Sequence, residues 1–163
     1  MNAPLPSHLK FDMQGLILAI AHCHAEDQLA NALTPAHWET LAPYLQPVAL
    51  TQSQMLFSRG DVDRTLYFIE AGNLSVHYED SKGRVRLAIV VAGSVIGEAG
   101  FFSHQPRTAT VQAGSACKLW SLTALRFSEL SNRQPEIALG VAMASGAVMA
   151  KRLANRRRRI AST

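Results

Sequence analysis

Cysteine is nearly absent from this chain of 163 residues. Cys23 and Cys117 alone cannot build a disulfide-stapled secreted scaffold or a four-thiolate zinc site, and a reducing cytoplasm is the expected setting. Long apolar runs are scarce too. The uncharged stretch Ile137 to Ala150 has fourteen residues, short of the roughly twenty of a membrane-spanning helix, so no transmembrane segment is expected. A secretory signal is missing: after Lys10 only the six residues Leu16 to Ala21 form an apolar run before His22. No spacing of Ser, His and Asp resembles a nucleophile elbow, so catalysis has no visible machinery.

What is present is the composition of a folded soluble protein: 48% apolar and 17% charged residues, with ten glycines and seven prolines spread out. The net charge of +4 is unevenly placed. Residues 1–150 carry ten Lys/Arg and all twelve Asp/Glu, whereas residues 151–163 carry six Lys/Arg and no acid. The basic character belongs to a tail.

Three zones follow from the periodicity: an N-terminal helical extension over 1–33, a β-roll with flanking helices over 34–133, and a C-terminal helix with a basic end over 134–163. In the first, Leu16, Ile17, Ile20 and Ala21 repeat at helical spacing. Thr34 followed by Pro35 then marks a helix start, with Trp38, Leu41, Ala42 and Leu45 on one face and a break near Pro43. His22-Cys23-His24, near Glu26 and Asp27, suggests metal ligation. Helix neighbours one and two apart do not share a face, however, so partly buried helix residues are expected there instead.

From Val48 to Leu122 the period changes to short runs rich in β-branched and aromatic residues. They read as strands at Gln46–Leu50, Met55–Ser58, Thr65–Glu70, Leu74–Tyr78, Val85–Val91, Val95–Ile96, Ala109–Ala113 and Lys118–Ser121. Glycine-bearing turns separate them, such as Arg59-Gly60-Asp61 and Ala92-Gly93-Ser94. Eight short strands predict a mostly β fold, an eight-stranded antiparallel β-roll of jelly-roll type. Cys117 at a strand start reads as a small buried hydrophobe. Thr123 caps a short helix bearing Leu125, Phe127 and Leu130, and Pro135 opens a long helix running to about Ile160. Along it Leu139, Met143, Gly146, Ala150, Leu153 and Ile160 follow a seven-residue repeat broken only by Arg157, while Ile137, Val141, Ala144 and Val148 line another face. Two apolar faces call for two partners, the roll and the same helix of a second subunit, which makes a homodimer; a single-chain core helix is the alternative.

Between the sixth and seventh strands lies Gly97-Glu98-Ala99-Gly100-Phe101-Phe102-Ser103-His104-Gln105-Pro106-Arg107-Thr108-Ala109. Glu98 is the only carboxylate between Asp80 and Glu129, and Arg107 the only Lys or Arg between Arg86 and Lys118. Small residues at Ala99 and Gly100 let backbone N–H groups approach an anion. A carboxylate that accepts from a sugar hydroxyl and a guanidinium that grips a phosphate in a planar fork are complementary to a nucleotide monophosphate. The plainer reading is that Glu98 and Arg107 pair with each other across a turn. The Phe101-Phe102 pair reads as core.

This segment resembles the phosphate-binding cassette of cyclic nucleotide-binding domains, the family of the catabolite activator protein, the regulatory subunits of cyclic-nucleotide-dependent kinases and the gates of some ion channels. The similarity extends from about Thr34 to Ile160 when Phe57-Ser58-Arg59-Gly60-Asp61, Leu66-Tyr67-Phe68-Ile69-Glu70-Ala71-Gly72 and the flanking helices are included. It implies a regulatory sensor that takes cAMP or cGMP, uses no metal and does no chemistry on its ligand. Glu98 would hold the ribose 2′-hydroxyl and Arg107 the exocyclic phosphate oxygens. Gly97, Ala99 and Gly100 would shape the cradle, completed by the N–H groups of Gly100 and of Thr108 or Ala109; Ala99 is smaller than the family's usual Leu, Ile or Met. Leu87 and Val90 would touch the purine, and Thr108 does not choose the base.

The resemblance also places the end of the long helix over the purine, which makes Asn155, Arg156 and Arg157 candidate base contacts. The run Arg156, Arg157, Arg158 and Arg159 reads either as a solvated helix end favoured by the macrodipole or as a patch for nucleic acid, an acidic protein surface or anionic lipid. Only Ala161-Ser162-Thr163 follow Ile160, too few for a helix-turn-helix, so a free-standing sensor or the sensor of a longer protein is expected. Two competing functions remain. One is a ligand-free β-roll that docks through its basic helix; the other is a cupin-like metal oxygenase, which His77 and His104, neither in a His-x-His unit, argue against.

Overall fold

The computed structural model describes residues 12–29 and 33–161, with side chains as far as Arg156. The parts of the expected zones that fall on 1–11, 30–32 and 162–163, and the side chains of Arg157, Arg158, Arg159 and Ile160, lie outside the described residues.

Asp12 opens α1 (Met13–His22) by accepting from the Gln14 N–H at 3.0 Å, and the helix buries Met13, Leu16 and Ile20. It stops earlier than the sequence suggests. His22 ends it exposed, Cys23 is its buried C-cap, and His24 lies exposed beyond it. The two imidazoles therefore face water, which corrects the expectation of partly buried helix residues there. Thr34 caps α2 (Pro35–Leu41): its hydroxyl accepts from the His37 N–H at 3.2 Å, while the His37 ring accepts from the Thr34 N–H at 3.4 Å. Pro43 then tightens Ala42–Tyr44 into one 3-10 turn.

Eight strands follow: β1 Gln46–Leu50, β2 Met55–Phe57, β3 Thr65–Ala71, β4 Asn73–Glu79, β5 Val85–Val91, β6 Val95–Ile96, β7 Thr110–Ala113 and β8 Cys117–Thr123, with α3 (Glu98–Ser103) between β6 and β7. They form two four-stranded antiparallel sheets of order β1-β8-β3-β6 and β2-β7-β4-β5. Helices α4 (Ala124–Arg133) and α5 (Pro135–Ala161) close the chain. This is the expected eight-stranded antiparallel β-roll with N-terminal helices and a long C-terminal helix.

Strand alternation divides the interior in two. Leu66 and Phe68 of β3 and Trp120 and Leu122 of β8 face the helices, where they join Leu16, Trp38, Leu130 and Val141 in one core. Ile69 and Leu119 point the other way and join Phe57, Leu74, Val90 and Val111 inside the roll. Because β3 and β8 are buried on both faces, they read as near-continuous apolar runs. Trp38 meets Phe68 edge to face, with ring centroids 5.3 Å apart.

The face of α5 bearing Ile137, Val141, Ala144 and Val148 is buried against the roll and α4, as expected, while Leu139, Met143 and Leu153 are 62%, 65% and 55% exposed. Gly146 and Ala150 lie on the same open side. Pro135–Arg156 is by length and composition long and apolar enough to cross a bilayer, contrary to the short-run reading, yet its inner face belongs to the helical core. In α4, Leu130 is buried and Phe127 partly so, but Leu125 points outward at 72% exposure. Cys117 starts β8 buried, and burial raises its thiol pKa, which keeps the group protonated and inert.

Gly93 ties α1 to the roll. It adopts φ +88°, and a Cβ there would come within 2.5 Å of both the Ala19 carbonyl oxygen and the Cys23 Cβ. Left-handed strain and overpacking act together in Gly93→Ala, which is expected to lose about 2–4 kcal/mol in urea unfolding. A loss below about 0.5 kcal/mol would show that α1 can move away freely.

Candidate functional site

β6 ends at Ile96, and Gly97, at φ +89°, turns the chain sharply into α3. A side chain at Gly97 would have a Cβ 2.6 Å from the Thr65 carbonyl oxygen and 2.7 Å from Arg107 Nη1, so only glycine leaves room for the guanidinium. Phe101 anchors α3 from behind: it is buried and meets Phe102 and Phe127 edge to face at 5.2 and 5.3 Å. The aromatic pair is core, in agreement with the sequence. After α3 the chain is stitched to the turn over 58–61, the Gly60 N–H donating to the Arg107 carbonyl at 2.8 Å and the Arg107 N–H to the Asp61 carbonyl at 2.7 Å.

This stitching sets Arg107 inside the protein at 3% exposure. Its Nε donates to Asp63 Oδ2 at 3.0 Å and its Nη2 to Asp63 Oδ1. Nη2 also donates to the Thr65 carbonyl at 2.8 Å, and Nη1 to the Gly97 carbonyl at 3.0 Å. The guanidinium lies over the Phe57 ring, 4.1 Å from its centroid. Four of its five N–H donors are thereby engaged, and one on Nη1 remains. The planar fork that the sequence assigns to a phosphate is thus turned to Asp63. Burial pushes the Asp63 carboxyl up, but the Arg107 guanidinium and hydrogen bonds to Thr65 outweigh it and hold the group below its ordinary value.

Glu98 opens α3, is itself buried, and accepts from Arg152 Nη1 of α5 at 2.6 Å. The turn-crossing pair of Glu98 with Arg107 does not form; each finds its counter-charge in another segment. Arg152 also donates from Nε to Asp27 Oδ2 at 2.9 Å and from Nη2 to Ser94 Oγ at 3.2 Å and the Val95 carbonyl at 2.8 Å. Burial opposes its charge, yet Glu98 and Asp27 more than compensate and raise its pKa. Farther along α5, Asn155 Nδ2 donates to Glu26 Oε2 at 2.7 Å, and the Arg156 guanidinium stacks 4.7 Å from the centroid of Tyr78.

These groups surround a cavity of about 470 Å³, within the range of small-ligand sites. Gly97, Glu98, Ala99, Gly100, Arg107, Thr108, Ala109, Leu87 and Val90 all line it, as do Tyr78, Arg152, Asn155 and Arg156. Val90 points inward beside Leu74, whereas Leu87 pairs with His77 on the outer side of the sheet and is 56% exposed, so it reaches only the rim. Among the described residues no group of three or more His, Cys, Asp or Glu is placed to hold a metal ion.

Sequence reasoning missed Asp63, Asp27, Tyr78 and Arg152. Arg152 left a trace: it continues the buried series Ile137, Val141, Ala144, Val148 at the next four-residue step, a cation on an apolar stripe. Asp63 left none, since nothing near it in the chain marks its partner 44 residues away.

The family model described as the cyclic nucleotide-binding domain matches residues 47–134. The chain is 30% identical over 129 residues to the cAMP-activated global transcriptional regulator Vfr of Pseudomonas aeruginosa, covering 76% of this chain and 58% of that protein. It spans about half the length of the curated relatives it matches. A solved cyclic nucleotide-binding domain from Methylobacillus flagellatus shares the fold with a TM-score of 0.78 at 19% identity, covering 92% of this chain and 83% of its own. The regulatory domain of Toxoplasma gondii PKA, crystallised with cAMP, is 26% identical with a TM-score of 0.59, covering 74% of this chain and 46% of its own.

Asp63 makes the site sensitive to acid. A carboxyl held below its ordinary value of 3.8 stabilises the folded chain fully above that value and loses this contribution as pH falls through its lowered folded value. Urea midpoints measured against pH should therefore drop below about pH 4, and Asp63→Asn should flatten that drop. An acid limb unchanged in the variant would show that the pair adds no pH-linked stability.

Proposed function

The chain belongs to the cyclic nucleotide-binding domain family, and from that premise we propose that its cavity takes cAMP or cGMP as a regulatory ligand and that the protein does no chemistry on it. The observation that carries this reading is the convergence on one cavity of a buried guanidinium, a buried carboxylate and apolar walls from β4, β5 and β7. The exocyclic phosphate oxygens would meet the remaining Nη1 hydrogen of Arg107 and the N–H groups of Gly100 and of Thr108 or Ala109. Gly97 and Ala99 keep that approach open. The ribose 2′-hydroxyl would donate to Glu98, and the purine would rest against Val90 and the rim residue Leu87, under Asn155 and Arg156.

Ligand occupancy would be transmitted through α5, because that helix carries Arg152, Asn155 and Arg156 against the cavity and continues into the basic end. For nucleotide to shift the helix, it must bind one helix position better than another. The open stripe of Leu139, Met143, Gly146, Ala150 and Leu153 follows coiled-coil spacing and supports a homodimer through α5. The basic end from Arg156 to Arg159 would then be presented twice to an acidic partner or nucleic acid.

Calorimetric titration with each cyclic nucleotide tests the ligand. Arg107→Ala, checked for folding by its thermal transition, should weaken binding by about 2–5 kcal/mol. Equal affinity in the variant, or no heat with either nucleotide in the unaltered protein, would sink the assignment and leave a ligand-free docking module. The dimer is tested separately by Met143→Glu: sedimentation should show a dimer for the unaltered chain and a monomer for the variant, since like charges would face each other across the seam. A monomer in both would remove the seam from the account.

A further inference from the structure

Resting on the nucleotide reading above, we propose that Arg152 and Asp27 are positioning residues for the sugar: through Glu98 they set how strongly the site distinguishes a ribose from a 2′-deoxyribose. Glu98 accepts from Arg152 at one oxygen, Oε1, and no described residue donates to Oε2, which is left for a hydroxyl. The Glu98 side chain is 11% exposed, so its orientation is fixed by its protein partner and not by water.

That partner is itself fixed from a distant segment. Asp27 lies between α1 and α2 and takes both Nε and Nη2 of Arg152, at 2.9 and 2.8 Å. Its own backbone is held by the Ser94 hydroxyl, which donates to the Asp27 carbonyl at 2.6 Å. The neighbours repeat the pattern, Glu26 accepting from Asn155 at 2.7 Å and the Gln28 carbonyl from Lys151 at 3.4 Å. Three consecutive residues of the connecting segment thus strap α5 over the site at Lys151, Arg152 and Asn155.

The cavity of about 470 Å³ persists with this strap closed, so docking of α5 and occupancy of the site are compatible. Arg152 does not block the sugar position; it orients the carboxylate there. It also cancels a negative charge that would repel an anionic phosphate in the same cavity. Loss of either Asp27 or Arg152 therefore loosens Glu98 without removing the group that meets the ribose.

The test titrates the full chain with cyclic AMP and cyclic GMP, each beside its 2′-deoxy analogue. The unaltered protein should prefer the ribo form by about tenfold or more, the scale of a hydrogen bond to a charged group. Asp27→Asn and Arg152→Lys, each checked for folding by its thermal transition, should lose most of that preference while the deoxy nucleotide weakens less, and Asp27→Glu should restore part of it. A merely structural role would weaken both sugars in parallel. A parallel loss, or a preference unchanged from the unaltered protein, overturns the inference while leaving the nucleotide reading intact. Absence of binding by the unaltered protein overturns the nucleotide reading, and this inference with it.

Discussion

A guanidinium taken out of water must be met on every side, and two of them, Arg107 and Arg152, organise everything around the cavity. Removing such a cation from solvent costs several kcal/mol, which only close counter-charges and well-directed acceptors offset. Arg107 is met by Asp63, by the Thr65 and Gly97 carbonyls and by the face of Phe57. Arg152 is met by Asp27, Glu98, Ser94 and Val95. Each set draws on segments far apart in the chain, so satisfying the cations also closes the walls of the site. Arg107 and Asp63 cancel, and the Arg152 set, with two carboxylates to one guanidinium, stays negative. What the cavity offers an anion is therefore directional, a single remaining donor and nearby backbone N–H groups, more than a broad positive field.

The roll supplies the rigid frame this arrangement needs. Alternate residues of β3 and β8 feed two separate cores, so a slip of one residue in either strand would exchange Phe68 for Ile69 and expose one core to the other's geometry. β6 pairs with β3 through Tyr67–Ile96 and Phe68–Val95, which places Gly97 immediately beyond a fixed register. The sharp turn into α3 therefore starts from a rigid point, and Phe101 holds its far side. Glu98 is fixed in space by the same pairing that buries the core.

The period-two strands, the glycine turns between them and the Thr34-Pro35 and Thr123 helix starts are all legible in the residues, because each depends on chemistry within a few positions. That Glu98 and Arg107 line one cavity was legible as well, since a lone carboxylate and a lone guanidinium stand out from an uncharged stretch. The choice of partner was not. Glu98 and Arg107 are nine residues apart and could have paired locally; instead each is claimed by a charge brought in by tertiary packing, 54 and 44 residues away. Leu125 and Leu87 show the same limit, because an apolar residue on a plausible face is buried only if another element covers that face. The end of α1 was missed for a related reason: Cys23 is held by contact with Gly93, which sequence spacing does not reveal.

The remaining step concerns the rotation of α5. Ile137, Val141, Ala144 and Val148 form the stripe that packs into the helical core, and the same four- and three-residue steps carry that stripe on to Arg152 and Asn155 at the cavity. The exposed stripe from Leu139 to Leu153 runs along another side of the same rigid cylinder. Successive residues on a helix are separated by about 100°, so a rotation that re-aims one stripe re-aims the others by the same angle. The contact of Arg152 with Glu98, with a nitrogen-to-oxygen distance of 2.6 Å, tolerates little of it. A partner that turned α5 on seating against the open stripe would therefore re-aim Arg152 at Glu98, and a ligand that required another Glu98 orientation would turn the open stripe through the same helix.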